Sequence, residues 1–173
     1  MNETLNTILS RRSVKAYKPE MPPQELIDEV IKAGTYAPTG MNRQSPIIIS
    51  VTDKATRDRL SKLNAEIMGG SGDPFYGAPV VLIVLADKSV PTYIYDGSLV
   101  MANLLNAANA VGLGSCWIHR AKEEFQTAEG KELLNSLGIE GDFEGIGHCI
   151  LGYPAGEIPA AKPRKENWVF HID

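Results

Sequence analysis

The spacing of hydrophobic residues along the chain predicts a set of helices. Apolar positions three and four residues apart follow Asn2, the Pro22-Pro23 pair and Asp53, and these residue types favour the start of a helix. A further short helix is predicted from Glu129 to Leu137, because Gly138 follows it and glycine commonly ends a helix.

Continuous apolar runs predict the strands of a buried sheet. These runs share a short length and turn residues at their ends, and they lie at residues 47–51, 79–85, 115–119, 145–154 and 168–172. Because helical patterns alternate with the strands, periodicity alone favours βαβ units and a parallel sheet.

One helical segment, residues 95–111, differs from the others because it is apolar almost all round. A helix of this composition is typical of a buried position. It is therefore predicted to lie in the core or in an interface between subunits.

Composition limits the class of protein. The 173 residues suffice for one domain, predicted to span 1–173, and the net charge of −4 argues against nucleic acid or an anionic membrane as the main partner. No signal peptide is evident, and the longest apolar run is too short to span a bilayer. Cys116 and Cys149 have no partner at metal-binding or CxxC spacing, so both are expected to be buried thiols in a reducing cytoplasm.

A basic segment, Arg11-Arg12-Ser13-Val14-Lys15, follows the first predicted helix. The guanidinium, hydroxyl and ammonium donors of this segment together suit a phosphate monoester. The alternative is a solvated turn whose cations complement the dipole at the carboxyl end of the helix. The sequence alone leaves both open.

Two other features extend this chemistry. The loop at residues 37–46 is rich in amide and hydroxyl groups, and a second basic cluster lies at residues 162–165. Cations together with amides would suit a phosphorylated cofactor that carries a hydrogen-bonding ring. Phe75 and Tyr76 precede the strongest strand and are either core residues or the aromatic walls of a pocket.

Several common sites are missing from the sequence. There is no P-loop motif, and neither glycine pair completes a Rossmann fingerprint. The histidines at 119, 148 and 171 lack metal-binding spacing, so no metal is expected, and His119 and His148 are predicted to be hydrogen-bonded or partly exposed strand residues. No catalytic side chain stands out, so a cofactor is expected to carry the chemistry.

Five motifs, taken in order, resemble the FMN-dependent nitroreductase family: RRSVK, APTGMNRQSP, Gly-Ala-Pro before an apolar strand, GLGSCWI, and LGYP followed by a late KPRK. The resemblance runs from Ile8 to Trp168. It implies an α+β, three-layer α-β-α fold with a mostly antiparallel mixed sheet. It also implies an interlocked homodimer with two FMN sites at the interface, in which the last strand packs on the partner.

The resemblance also implies roles for residues at matching positions. The contacts to the FMN phosphate and ring edge fall on Arg11, Arg12, Ser13, Lys15, Lys162 and Arg164, with Lys15 directed toward the ring. The loop that reaches the flavin of the other subunit contributes Pro38, Thr39, Asn42 and Gln44. The strand end that lies along the flavin comprises Trp117, Ile118, His119 and Arg120, where Arg120 departs from the small residue common in the family.

The activity implied by the resemblance is a ping-pong reduction of nitroaromatic, quinone or related acceptors, with tightly bound FMN and NAD(P)H as reductant. Lys15 would stabilise negative charge at the pyrimidine end of the ring. Two alternatives remain open on the sequence. One is a flavin- or nucleotide-binding protein without turnover, and the other is the same fold with a dehydrogenation or dehalogenation reaction.

Overall fold

A computed structural model describes residues 2–172 of the chain. The helices are α1 (Glu3–Ser10), α2 (Gln24–Thr35), α3 (Lys54–Ile67), α4 (Tyr93–Ala110), α5 (Ala121–Glu124) and α6 (Ala128–Ser136). The strands are β1 (Pro46–Val51), β2 (Val80–Asp87), β3 (Gly114–Ile118) and β4 (Phe143–Gly152). Asn2 and Asp53 cap α1 and α3 through their side chains, as predicted from the sequence. No helix among the described residues is both long enough and apolar enough to cross a bilayer.

The sheet has the order β1-β2-β4-β3, and every neighbouring pair of strands is antiparallel. The parallel sheet favoured by periodicity is therefore wrong, and the antiparallel sheet implied by the family resemblance is confirmed. Periodicity identifies strands but carries no information about which of them pair. One isolated parallel bridge, between Ser13 and Ser115, adds the mixed character.

Helices cover both faces of the sheet, which confirms the three-layer arrangement. On one face, α2 and α4 pack on a cluster that includes Val30, Leu82 and Leu104. On the other face, α3, α5 and α6 pack on a second cluster that includes Phe75 and Ile83. The alternation of side chains along β2 feeds both clusters, so this central strand is buried on both sides.

Helix α4 is buried on one face only. Met101 and Leu104 are fully buried against the sheet, whereas Tyr95 is 72% exposed and Leu99 is 43% exposed. The nearly uniform apolar composition noted in the sequence thus reflects a core face and a second apolar face that points away from the sheet.

The strand predicted at residues 168–172 is wrong for the single chain. This segment has no regular structure, and Trp168, Phe170 and Ile172 are exposed. A strand requires a neighbour for its backbone N–H and C=O groups, and no described strand pairs with this one.

The two cysteines are buried and free, as the sequence predicted. Cys116 packs in the cluster under α3 and α5, and Cys149 packs in the cluster under α2 and α4. Because they lie on opposite faces of the sheet, they cannot form a disulfide with each other. Burial raises the pKa of the Cys149 thiol to about 12, so this group stays protonated.

The turn before β2 is organised by Asp73. Its carboxylate accepts hydrogen bonds from the backbone N–H groups of Phe75 at 3.0 Å and Gly77 at 2.7 Å. It also accepts from Arg57 and Ser61 of α3, both at 2.6 Å. This arrangement turns the chain sharply, so that Phe75 enters the core while its neighbour Tyr76, with φ of 52°, points outward.

Asp73 is expected to make stability depend on acid pH. Burial alone raises the pKa of the Asp73 carboxyl, but hydrogen bonds from Arg57, Ser61 and two backbone N–H groups outweigh it, so the pKa lies below its ordinary value. A lowered folded-state pKa gives stability that is present above the unfolded-state pKa and is lost as pH falls through the folded-state pKa. The loss is therefore expected to begin near pH 3.8, the ordinary aspartate value, and to continue below it.

Urea denaturation from neutral pH into the acid range, with and without Asp73→Asn, measures this contribution. The variant is expected to be less stable at neutral pH and to lose stability less steeply on acidification. Asp28→Asn, which changes an exposed aspartate of α2 bonded to Gln24, serves as the control. Equal acid slopes for the unmodified protein and Asp73→Asn would contradict the assignment.

Candidate functional site

The basic segment is docked on the β3 edge of the sheet. Val14 donates its backbone N–H to Ser115 O at 3.0 Å, and the Tyr17 hydroxyl donates to Val14 O at 2.8 Å. A β-carbon on Gly114 would lie 2.9 Å from the Val14 side chain, so only glycine permits this close approach. With Val14 and Tyr17 buried, the side chains of Ser13 and Lys15 are held outward.

The two arginines of this segment differ in what they contact. Nη1 of Arg12 donates to Leu9 O at 2.8 Å and to Arg11 O at 2.7 Å, so its guanidinium caps the carboxyl end of α1. The helix-end explanation of the basic segment therefore applies to Arg12. The salt bridges within residues 2–172 involve neither arginine, nor Lys15. Arg11 and Lys15 thus keep their charges available for an anion.

A groove of about 250 Å³ runs beside the basic segment. Ser13 and Lys15 line one side of it, and Pro154 and Ile158 from the chain after β4 line the other, together with the carboxylate of Glu157. The second basic cluster, at residues 162–165, does not line this groove in the single chain. Arg164 is exposed and donates to Lys162 O at 2.8 Å, so contact of Lys162 and Arg164 with a phosphate stays a prediction.

The loop at residues 37–46 is held by a buried acid that sequence reasoning missed. Asp96, which is 2% exposed in the first turn of α4, accepts from Gly40 N at 2.9 Å, Ser45 Oγ at 3.0 Å and Thr92 Oγ1 at 2.9 Å. The sequence feature that could have identified Asp96 is that it is the one carboxylate in a largely apolar helix. A buried carboxylate with three donors fixes the loop to the start of α4.

The loop itself holds an uncommon backbone conformation. Met41, Asn42 and Gln44 have φ values of 53°, 53° and 51°, in the left-handed region that side chains rarely adopt. Thr39 Oγ1 accepts from Gln44 N at 3.1 Å, and the Asn42 and Gln44 side chains are bonded to each other and exposed. Pro38 is also exposed. Strained backbone of this kind is common in binding loops.

Replacing Asp96 with alanine is expected to cost about 1–3 kcal/mol of stability, because buried donors lose their acceptor. Cleavage by a protease at residues 38–44 should also become faster. Asp96→Asn is the matched variant, since its amide oxygen can still accept from Gly40. Urea denaturation and limited proteolysis measure both effects, and an alanine variant as stable and as resistant as the unmodified protein would refute the role of Asp96.

The end of β3 forms a tight turn at the same sheet edge. Ile118 is buried under α3 and α5, His119 is exposed, and Arg120 adopts φ of 77° and ψ of 5° immediately before α5. The Trp117 ring lies on the opposite sheet face, with its centroid 6.0 Å from that of His119. Among the described residues, two buried side-chain N–H groups lack a hydrogen-bond partner: Trp117 Nε1 and Arg12 Nε.

The aromatic pair is divided between core and surface. Phe75 is 0% exposed and packs against the His148 ring at 5.2 Å, so its prediction as a pocket wall is wrong. The cause is the Asp73 turn, which directs Phe75 inward. Tyr76 is 40% exposed, and Lys15 Nζ lies 5.7 Å from its ring centroid, which places Tyr76 beside the basic segment.

The arrangement is therefore an antiparallel three-layer fold with a basic segment and a left-handed turn on one edge strand. Comparison with known proteins places it: the chain belongs to the Nitroreductase family, whose family model matches residues 8–153. The chain is 32% identical over 91% of its length, and 88% of the relative's, to a protein of Archaeoglobus fulgidus provisionally named an NADH dehydrogenase/NAD(P)H nitroreductase.

Two further comparisons are with proteins whose names include FMN. An FMN reductase [NAD(P)H] of Bacillus subtilis is 27% identical over 95% of this chain and 70% of its own length. The crystal structure of a Bacteroides fragilis nitroreductase with bound FMN superposes with a TM-score of 0.91, at 26% identity, over 100% of both chains.

Proposed function

We propose that this protein is an FMN-dependent NAD(P)H oxidoreductase that reduces small-molecule acceptors such as nitroaromatics or quinones by a ping-pong mechanism. The observation that carries the proposal is the docked basic segment at the β3 edge. It holds Ser13 and Lys15 outward, and within residues 2–172 the charges of Arg11 and Lys15 have no salt-bridge partner. Family membership and the FMN named in relatives support the same cofactor.

The donor set fits a flavin mononucleotide. Arg11 and Ser13 offer a charged fork and a hydroxyl suited to a phosphate dianion. Lys162 and Arg164 would add charge to the phosphate if the tail of the chain folds toward the groove.

Bound FMN supplies the two-electron redox chemistry between NAD(P)H and the acceptor. The protein residues bind and orient. Lys15, held near Tyr76, provides the positive charge that favours a negatively charged ring. Tyr76 forms an exposed aromatic surface on which a flat acceptor could stack. No side chain of this site is assigned a proton-transfer step.

The homodimer is part of the proposal because the apolar surfaces of the single chain need cover. Leu5, Ile8 and Leu9 of α1 are each about half exposed, at 49%, 49% and 59%. The outer face of α4 and the tail at 168–172 are also apolar and exposed. A second copy would cover these surfaces, and its loop with Pro38, Thr39, Asn42 and Gln44 would complete the flavin site.

The test begins with the absorption spectrum of freshly purified protein and the identity of any flavin released on denaturation. Steady-state oxidation of NADH and NADPH is then measured with a nitroaromatic and with a quinone, and the molecular mass is measured in solution. A yellow dimer that releases FMN and turns over both acceptors is expected. Oxidation no faster than that of free FMN would refute the enzyme and favour a flavin-binding protein.

A further inference from the structure

A buried polar network lies beneath the end of β3. Its members are Asn64 of α3, Glu124 of α5 and His148 of β4, and each of them is 0% exposed. Glu124 Oε2 lies 2.9 Å from His148 Nε2, and Asn64 Nδ2 donates to Glu124 Oε1. Three separate elements therefore meet through side chains that lie 24 or more positions apart in the sequence.

The network holds three consecutive residues at the strand end. His148 Nδ1 lies 3.4 Å from Ile118 O, and Asn64 Nδ2 donates to His119 O at 2.9 Å. Arg120 Nε donates to Asn64 Oδ1 at 2.9 Å. Every residue from Ile118 to Arg120 is thus tied to the network by a carbonyl or a side chain.

Core stability alone gives little reason for such a network. The Phe75 ring packs against His148, and apolar residues of the α3–α5 cluster surround the site. Burying a carboxylate and an imidazole in these surroundings carries a desolvation cost, and apolar residues of similar volume are often at least as stable. A fully bonded polar network in a core does, however, specify one geometry for the groups that it contacts.

The backbone at Arg120 is the part of this turn whose geometry the network has to fix. Its left-handed φ of 77° is unfavourable for a residue with a side chain, and such a conformation persists where the surroundings over-determine it. Asn64 meets both sides of this residue, because it bonds the preceding carbonyl and the Arg120 guanidinium.

We infer that Asn64, Glu124 and His148 are positioning residues that hold the Ile118–Arg120 backbone in the orientation required against the flavin ring. This inference rests on the proposed function and on the family resemblance, which implies that the strand end from Trp117 to Arg120 lies along the flavin. The phosphate end is held by a different segment, so disturbing the network should change the reactivity of the bound flavin far more than its affinity.

The test compares the same substitution at two asparagines. Asn64→Leu removes the centre of the network. Asn103→Leu removes a 3.0 Å hydrogen bond from Nδ2 to Ala33 O, between α4 and α2 on the other face of the sheet. Hydrogen exchange of residues 118–121 measures how firmly the backbone of this turn is held. The visible circular dichroism of bound flavin reports the environment of the ring, and stopped-flow reduction by NAD(P)H measures its reactivity.

Asn64→Leu is expected to accelerate exchange at 118–121, to alter the flavin dichroism and to slow flavin reduction by about 10- to 100-fold, the range expected for a misplacement near 1 Å. The dissociation constant for FMN should change by less than about threefold, because the phosphate contacts are untouched. Asn103→Leu should leave exchange at 118–121, dichroism and reduction rate unchanged.

If Asn64→Leu does not fold, His148→Gln is tested instead. The glutamine amide can still donate to the Glu124 carboxylate, but the contact of the imidazole Nδ1 with Ile118 O is lost. Unchanged dichroism and reduction rate in a folded variant would overturn the inference. A chain that binds no FMN before any substitution would overturn the proposed function instead, and exchange at 118–121 would still decide whether the network fixes this turn.

Discussion

Phe75→Ala is expected to destabilise the protein by about 3–5 kcal/mol, the usual cost of truncating a fully buried phenylalanine. Phe75 is 0% exposed, packs on the His148 ring and lies under Arg57, whose guanidinium is 5.5 Å from the ring centroid. The cavity would open next to the buried network. Urea denaturation with a two-state fit measures the loss.

Tyr76→Ala is the matched comparison, because the two residues are adjacent and both aromatic. Its side chain is 40% exposed, so stability should change by no more than about 0.5 kcal/mol. Its effect should appear instead in the KM for a nitroaromatic or quinone. Equal losses of stability in the two variants would contradict the division between core and surface that the Asp73 turn creates.

Arg11→Ala combined with Arg164→Ala is expected to yield protein that purifies without bound flavin. Each charged hydrogen bond to the phosphate contributes about 1.5–3 kcal/mol, so each substitution should weaken FMN binding by about 10- to 100-fold. Fluorescence titration of FMN into each variant measures the dissociation constant. Arg59→Ala removes a surface cation that pairs with Glu129 at 3.2 Å, and it should leave FMN binding unchanged.

The two single variants separate the ends of the proposed phosphate site. Arg11 lies in the docked segment, whereas Arg164 is exposed in the tail and donates to Lys162 O, two residues away. Weakened binding in both would support a phosphate site closed from two ends. Weakened binding in Arg11→Ala alone would confine the site to the β3 edge, and a double variant that keeps its flavin would refute the phosphate assignment.

Local chemistry made much of the fold predictable from the sequence. Asp53 caps α3 because an aspartate before an apolar-periodic stretch can accept from a free N–H, and the structure contains that bond to Thr56 N at 2.7 Å. His148 is hydrogen-bonded in a strand, as predicted. Strand pairing was not accessible in this way, because it depends on contacts between distant residues.

The candidate site shows the same limit. Phe75 and Tyr76 have similar side chains, and only the hydrogen bonds that Asp73 makes decide which of them is buried. The network of Asn64, Glu124 and His148 had no signal, since its members are ordinary residues of three separate elements. Arg12 is indistinguishable in kind from its neighbour Arg11 in the sequence. In the structure, however, its guanidinium donates to carbonyl groups at the end of α1.

Strand β3 has a consequence for how the cofactor site tolerates change. Its first residues, Gly114 and Ser115, receive the basic segment, and its last residue leads into the turn at Arg120. At about 3.3 Å per residue, the strand sets a distance of roughly 13 Å between the proposed phosphate site and the backbone proposed to lie against the flavin ring. Insertion or deletion of one residue within 114–118 would change that distance and reverse the faces of the following side chains, so the length of β3 should be as constrained as any binding residue.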